Sequence, residues 1–250
     1  MDFERLRSSF KAKGMDVSEF EASYKALICR AVESLVCEPQ GEWGDLRRIR
    51  QYSLVLRQVL LHRAINLFSG SFVALLDNNA YSMTLSIRGH FETTAAIGYL
   101  HSRLNSLAEG NLKARIVDHD IAVLLLGTRD KKILKFDAAV NNEMEARQIL
   151  DMLKYADRSV SKYILQGTAN EHIMLTDCYE HLCEFSHPNF HSNTAAFELR
   201  EEEKKFYFNH NKSLDDKFFK LIDNLLISNP FFIELFDKIE GLLPQEQAGV

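Results

Sequence analysis

The eleven-residue stretch CEFSHPNFHSN, residues 183–193, contains two histidines, a glutamate and two asparagines around one proline. Histidine and glutamate are side chains that commonly transfer protons in catalysis. Because a residue that precedes proline is disfavoured in helical conformation, Pro188 should push His187 out of the preceding helix. His187 would then lie at a helix end, where the dipole favours an imidazolium, with Glu184 nearby. The alternative is a helix terminus that His187, Pro188 and Asn189 simply cap.

A second candidate pair lies far upstream, in the apolar stretch 81–99. Arg88 and Glu92 are four residues apart, so their side chains share one face of a helix. A buried charge is unfavourable unless it is paired and hydrogen-bonded. The pair is therefore either part of a working site or an ion pair that holds two helices in register.

Metal binding is a third reading of these residues. Glu184 and His187 have the Glu-x-x-His spacing of di-iron helical bundles, which need a second such motif on a partner helix. The chain has no second motif. A mononuclear site of Glu92, Glu184 and His187 is an alternative, but His187 and His191 flank a proline and do not define one helix face. We expect neither a metal nor a cofactor.

Composition restricts the classes of protein that fit. The chain has 250 residues, 46% hydrophobic and 26% charged, with a formal net charge of -5. That balance argues against a general nucleic-acid coat protein, which would be basic overall. The four cysteines form no C-x-x-C pair, which favours reduced thiols in a cytoplasmic protein. The charged N-terminus predicts no secretory signal, and apolar runs such as 121–127 are too short to span a membrane.

Apolar periodicity predicts helices along most of the chain. The first begins at Ser18 with a capping box to Glu21 and extends to about residue 38. The second begins at Asp45 and extends to about residue 68, with a buried stripe that includes Leu46 and Leu67. The others cover about 80–104, about 110–126 with Ile116 inward, from 143 to about 166, and about 170–186. Residues 128–137 are expected to form a turn and an irregular stretch.

The pattern changes after the sixth helix. The segments 194–199 and 204–210 are short and aromatic, and the charged run between them predicts a β-hairpin. Helix returns near residue 213, and Asn229-Pro230 should break it before a last segment that ends near 243. The predicted fold is therefore an all-α bundle of six or seven helices with a small β-hairpin after the sixth, in one domain over 1–250. The tail contains five phenylalanines that fit either a core or a dimerisation surface: Phe218, Phe219, Phe231, Phe232 and Phe236.

An Arg-x-x-x-Glu helix followed by a Glu-x-x-His-Pro-Asn helix end resembles a HEPN-related bacterial family. The resemblance covers about residues 45–210 and rests on Arg88, Glu92 and the stretch 182–189, followed by the hairpin. That broad group contains toxins, abortive-infection proteins and many proteins of unknown function. The resemblance implies a homodimer with the site at the subunit interface, and a role in phage defence or stress response.

Active members of the group cleave RNA without metal, and they carry a histidine four to six residues after an arginine. The match in this chain is Arg57 to His62, which lacks the polar residue directly after the arginine; with Arg47 and Arg50 it fits an exposed basic stripe instead. At Arg88 the expected histidine is replaced by Glu92. A variant site would place Arg88 on phosphate and take the histidine from the other helix.

Two functions are consistent with these observations. In the first, the protein binds or cleaves RNA or a nucleotide: Glu92 orients Arg88, Glu184 orients His187, and His187 transfers the proton. Asn189 and His191 would shape the pocket. In the second, the same residues form a polar core network in a non-catalytic module that binds a protein, such as a toxin or a sensor. Solvent access to Arg88 and His187 distinguishes the two.

Overall fold

The structure is a computed structural model that describes residues 3–31, 41–128, 145–166, 173–208 and 214–245. The predicted all-α bundle with a small hairpin is confirmed. The helices are α1 (Phe3–Ala12), α2 (Ser18–Ile28), α3 (Leu46–Leu76), α4 (Ala80–Ala108), α5 (Ala114–Leu126), α6 (Ile149–Tyr163), α7 (Met174–Ser186), α8 (Phe190–Asn193), α9 (Asp216–Lys220) and α10 (Asn224–Leu242). Strands β1 (Phe197–Arg200) and β2 (Lys205–Phe208) pair antiparallel between α8 and α9.

Helix α4 is the central element of the bundle. It packs against α3, α5, α6, α7 and α10, and side chains such as Met83, Ile87 and Phe91 are fully buried. Helix α6 approaches α4 closely at Gly98, where an added Cβ would lie 2.4 Å from the Cβ of Ala156. A helix surrounded in this way carries apolar or small residues on most of its circumference.

The C-terminal helix corrects one prediction. The sequence predicts a helix end at Pro230, yet α10 continues through it to Leu242. Proline removes one backbone hydrogen bond, at a cost of about 3 kcal/mol in a helix interior. Burial of Phe232, Leu235 and Phe236 on the far side of the proline opposes that cost. The tail aromatics are therefore core: Phe218, Phe219, Phe232 and Phe236 are buried, and Phe231 is partly buried.

Helices α2 and α3 begin at the predicted positions, but of the two predicted caps, Ser18 and Asp45, only the one at Asp45 is confirmed. Asp45 does cap α3, because its side chain accepts a hydrogen bond from the backbone nitrogen of Arg47 at 2.8 Å. Ser18 does not cap α2: the cap position is Val17, without a side-chain bond, and the Ser18 hydroxyl donates to Asp16. The predicted capping box to Glu21 is wrong because Asp16 competes for that hydroxyl.

Other boundaries also differ from the prediction. Helix α1 is not predicted by the sequence pattern, although Leu6 and Phe10 are fully buried. Helix α2 ends at Ile28, earlier than expected, and residues 32–40 lie outside the described ranges. Helix α3 continues to Leu76, and α5 begins at Ala114.

Three side chains predicted to point inward are more exposed than expected, and two predicted segments lie largely outside the described ranges. Ile116 and Leu46 are 46% and 40% exposed, and Leu67 is partly buried. Most of the predicted irregular stretch 128–137 lies outside the described ranges, as does the start of the fifth predicted helix.

Helix α3 is, within the described ranges, the one helix long and apolar enough to span a membrane by length and composition. Less than half of its most apolar window is buried, 44% of the residues. Its inward residues, including Leu61, Phe68 and Phe72, belong to the core. A core helix passes the same test of length and hydropathy, so one such helix is weak evidence of a membrane span.

Helix α7, which carries the candidate histidine, begins on a carboxylate from another helix. Asp157 of α6 is 3% exposed. It accepts hydrogen bonds from the backbone nitrogens of Leu175 at 2.8 Å and Thr176 at 3.1 Å, and from the Thr176 hydroxyl at 2.6 Å. Burial raises the pKa of Asp157 and these three donors oppose the rise. Asp157 therefore caps α7 from a distance of 18 residues in sequence.

Replacing Asp157 by alanine should lower the free energy of unfolding by about 1–3 kcal/mol, because a buried and a partly buried amide donor lose their acceptor. The measurement is urea unfolding followed by circular dichroism. Asp151→Ala is the matched control, since Asp151 is a 63% exposed carboxylate of the same helix and should change stability by less than about 0.5 kcal/mol. Equal losses in both variants would contradict the capping role.

Candidate functional site

Arg88 and Glu92 lie one turn apart on α4, on the side that α7 covers. Arg88 Nε is 3.3 Å from Glu92 Oε1, and the two side chains are 21% and 32% exposed. The helical spacing predicts this shared face. The ion pair is therefore partly buried, and solvent reaches both side chains.

Tyr179 of α7 completes the contacts of this pair. Its hydroxyl donates to Glu92 Oε1 at 3.3 Å and accepts from Arg88 Nε at 3.3 Å. Burial raises the pKa of Tyr179 to about 12, with Glu92 adding to the rise and Arg88 opposing it. The phenol is neutral at physiological pH and keeps its proton for Glu92. Burial opposes the charge on Arg88, but Tyr179 and Glu92 outweigh it and raise the pKa of Arg88.

His187 lies at the end of α7, as Pro188 predicts. It is the C-cap residue, with φ -91° and ψ 153°, and its side chain is exposed. Its Nε2 is 3.3 Å from Arg88 Nη1, which also donates to Ser186 Oγ at 3.2 Å. Arginine can only donate, so Nε2 of His187 is the acceptor in this contact. Helices α4 and α7 thus bring together two residues that are 99 positions apart in sequence.

The other three predicted site residues lie around this helix end, each in contact with other groups. Glu184 is exposed and accepts from Asn189 Nδ2 at 3.0 Å; the expected contact with His187 is not made. Asn189 caps α8 in a capping box with Ser192, and its backbone nitrogen donates to the His187 carbonyl at 2.8 Å. The ring of His191 packs against Phe185, with centroids 5.6 Å apart. Of the predicted site residues, Arg88 and Glu92 line the cleft described below, and Glu184, His187, Asn189 and His191 do not.

Arg63 of α3 is a site residue that the sequence does not reveal. Its Nε donates to Thr93 Oγ1 at 3.1 Å, and its Nη2 is 3.8 Å from Glu92 Oε2. The side chain is 53% exposed. Glu92 therefore lies between two guanidinium groups. No pattern in the sequence links Arg63 to Glu92, because they belong to different helices.

A cleft of about 500 Å³ opens beside these residues, between α3, α4, α5, α6 and α7. Its polar end is formed by Arg63, Arg88, Glu92 and Tyr179. The remainder is mostly aliphatic, with Leu60, Val123, Leu124, Ile149 and Met152 among the lining residues. Clefts of this size and character are typical of small-molecule sites.

Two interpretations of the sequence do not fit the structure: the exposed basic stripe at Arg57 and the mononuclear metal site. Arg57 is not part of an exposed basic stripe: its side chain is 11% exposed, pairs with Glu240 and stacks on Phe236 at 4.0 Å. His62 contacts Asn66 at 3.1 Å instead of Arg57. The mononuclear metal site is also not formed, because Glu92 contacts Arg88 and Tyr179 while Glu184 contacts Asn189. Within the described ranges, no three His, Cys, Asp or Glu side chains are grouped as metal ligands.

Comparison with known protein families, with curated proteins and with solved structures finds no match to this chain. The resemblance to HEPN-related proteins rests on Arg88, Glu92 and the stretch 182–189, and it stays a prediction. Around Arg88, two guanidinium groups, a carboxylate, a neutral phenol and an accessible imidazole lie close together. That combination of side chains is suited to binding an anion and accepting a proton.

Proposed function

We propose that the protein is a cytoplasmic, HEPN-like protein that binds RNA at Arg88 and cleaves it without a metal ion, in phage defence or a stress response. The observation that carries the proposal is the 3.3 Å contact between Arg88 Nη1 and His187 Nε2 at an exposed helix end. The contact supports the proposal because a guanidinium can bind phosphate and an imidazole beside it can accept a proton. On the basis of the resemblance, we also propose a homodimer.

The proposed roles derive from the hydrogen bonds. Arg88 Nη2 has no acceptor among the described residues, so it is available to a phosphate oxygen. Glu92 and Tyr179 hold Nε of the same guanidinium. Guanidinium groups bind phosphate with paired hydrogen bonds. Glu184 acts through Asn189, whose backbone nitrogen holds the His187 carbonyl, and so braces the segment that carries the imidazole.

Cleavage would use the ribose 2′-hydroxyl as nucleophile. A phosphate that replaces His187 on Arg88 Nη1 frees Nε2 to accept the 2′-hydroxyl proton. The 2′-oxygen then bonds to phosphorus as the bond to the 5′-oxygen breaks, and that oxygen leaves as a hydroxyl after it takes a proton from the imidazolium or from water. Arg88 balances the charge that develops on the phosphate. The products are a 2′,3′-cyclic phosphate and a 5′-hydroxyl.

The test compares RNA with DNA of the same sequence, incubated with purified protein in excess chelator. We expect cleavage of the RNA alone, with cyclic phosphate at the new 3′ ends, because DNA lacks the 2′-hydroxyl. Product ends are identified by mass spectrometry. Equal cleavage of both polymers, or a requirement for divalent metal, would exclude this mechanism.

A second candidate function is a non-catalytic module that binds a partner protein such as a toxin or a sensor, and the hairpin favours it. In the β1–β2 register, Phe197 faces Phe208 and Leu199 faces Phe206, so one face of the hairpin is entirely apolar. Phe206 and Phe208 are 56% and 69% exposed. Exposed apolar patches of this kind often mark interaction surfaces.

A further inference from the structure

We propose that the cleft beside Arg88 binds a small aliphatic carboxylate, with its head group on Arg63 and Arg88 and its chain along the apolar wall. This is a separate activity from RNA cleavage and does not rest on it. The proposal combines three properties of the cleft: its charge, its lining and its volume.

The charge at the polar end favours a monoanion. Arg63 and Arg88 share the one carboxylate of Glu92, and Tyr179 is neutral. A third cation of the described lining, Arg147, pairs with a buried aspartate outside the lining. Arg63 and Arg88 therefore leave one positive charge at this end without a matching carboxylate among the described lining residues. Arg88 is 21% exposed and shares its counter-ion with the half-exposed Arg63. An incompletely neutralised, partly buried cation is unfavourable, so an anionic ligand would stabilise the site. The excess is local, because the whole chain has a net charge of -5.

The guanidinium groups have donors to offer such a ligand. Arg88 uses Nε and Nη1 in its contacts with protein, and Arg63 uses Nε and, at 3.8 Å, Nη2. Arg88 Nη2 and Arg63 Nη1 have no acceptor within the described ranges. Two oxygens of a carboxylate can each accept from one of these groups, in charge-assisted hydrogen bonds.

The lining favours an aliphatic body over a planar base. Val59, Leu60, Val123, Leu124, Ile149 and Met152 all lie along the wall. Tyr179 is the one aromatic side chain among the described lining residues, and it lies at the polar end. Bases in single-stranded or nucleotide sites are commonly held by stacking on aromatic rings. A volume of about 500 Å³ is sufficient for a small ligand.

The test is calorimetric titration of the purified protein at pH 7.5 with hexanoate, octanoate and decanoate, below their micelle concentrations. Affinity should rise about fourfold for each added methylene, which is the effect of burying one such group. Octanol, which lacks the charge, and octylammonium, which reverses it, should bind at least tenfold more weakly than octanoate.

Two variants locate the binding site. Arg63→Gln removes one head-group donor from a half-exposed position and should weaken decanoate binding tenfold or more. Val59→Trp places a large ring at the cleft wall, from a position that is 51% exposed, and should weaken binding similarly. Val73→Trp is the matched control, because Val73 is a 56% exposed valine of the same helix outside the cleft lining. It should bind decanoate as the wild type does.

Several outcomes would overturn the proposal. An affinity that does not change with chain length would exclude the aliphatic wall as a binding surface. Wild-type affinity in both Arg63→Gln and Val59→Trp would place any binding elsewhere. Adenosine monophosphate binding more tightly than decanoate would make the cleft a nucleotide site. RNA cleavage is measured separately, so a protein that binds decanoate and leaves RNA intact would refute the nuclease function alone.

Discussion

His187→Ala should reduce RNA cleavage about 10²- to 10⁴-fold, the usual contribution of a positioned acid or base. The melting temperature should change little, since among the described residues the exposed imidazole makes one polar contact, at 3.3 Å to Arg88. Arg88 keeps its bonds to Glu92, Tyr179 and Ser186 in the variant. Cleavage rates in chelator and thermal unfolding curves for both proteins provide the measurement.

His191→Ala is the control for this variant. His191 is also exposed and lies four residues further on, but its ring packs against Phe185 and does not approach Arg88. It should cleave RNA at close to the wild-type rate. If the wild type cleaves no RNA and His187→Ala melts several degrees lower, Arg88 and His187 have a structural role and no catalytic one. That pair of results would favour the interaction module and direct attention to the apolar face of the hairpin.

The sequence predicts much of this site because each of its parts depends on residues that are close together in the chain. The i, i+4 spacing places Arg88 and Glu92 on one face of α4, and Pro188 places His187 at the end of α7. Neither pattern predicts that α4 and α7 are neighbours. Their contact depends on how closely α6 and α7 can approach α4, which residues such as Gly98 decide through packing in three dimensions.

The residues that the sequence does not reveal act across elements. Arg63 reaches Glu92 from α3, and Asp157 caps α7 from α6. Their partners are fixed by tertiary packing, so sequence spacing carries no signal for either. Pro230 shows the converse, because a strong local signal for a helix end is overridden by burial of the aromatic residues that come after it.

A second large effect is expected at low pH, from a histidine in the core. His90 is fully buried, its Nδ1 lies 2.7 Å from Ser228 Oγ, and its ring packs between Phe68 and Phe232. Burial lowers the pKa of His90 to about 4, and the neighbouring Asn229 side chain opposes this only partly. In the unfolded chain the pKa of a histidine is about 6.5. Between those values the unfolded state binds a proton that the folded state does not.

Stability should therefore be complete above pH 6.5 and fall as the pH decreases toward 4. The loss from His90 is about 3 kcal/mol over that range, or up to about 1.4 kcal/mol per pH unit. His101 should add to it, because burial, followed by the charge of Lys238, lowers the pKa of His101 to about 4 as well. The measurement is the free energy of unfolding in urea at pH 7.5, 6 and 5.

The slope of stability with pH isolates His90 from other groups. His90→Gln removes the titrating ring, so this variant should be less stable at pH 7.5. Its free energy of unfolding should also depend less on pH, by about the contribution of one proton. His62→Gln is the control, because His62 is exposed and contacts Asn66, and its slope should match the wild type. A wild-type slope in His90→Gln would mean that the buried ring takes up its proton without unfolding. Ser228, Thr94 and Asn229 would then have to rearrange around an imidazolium in the core.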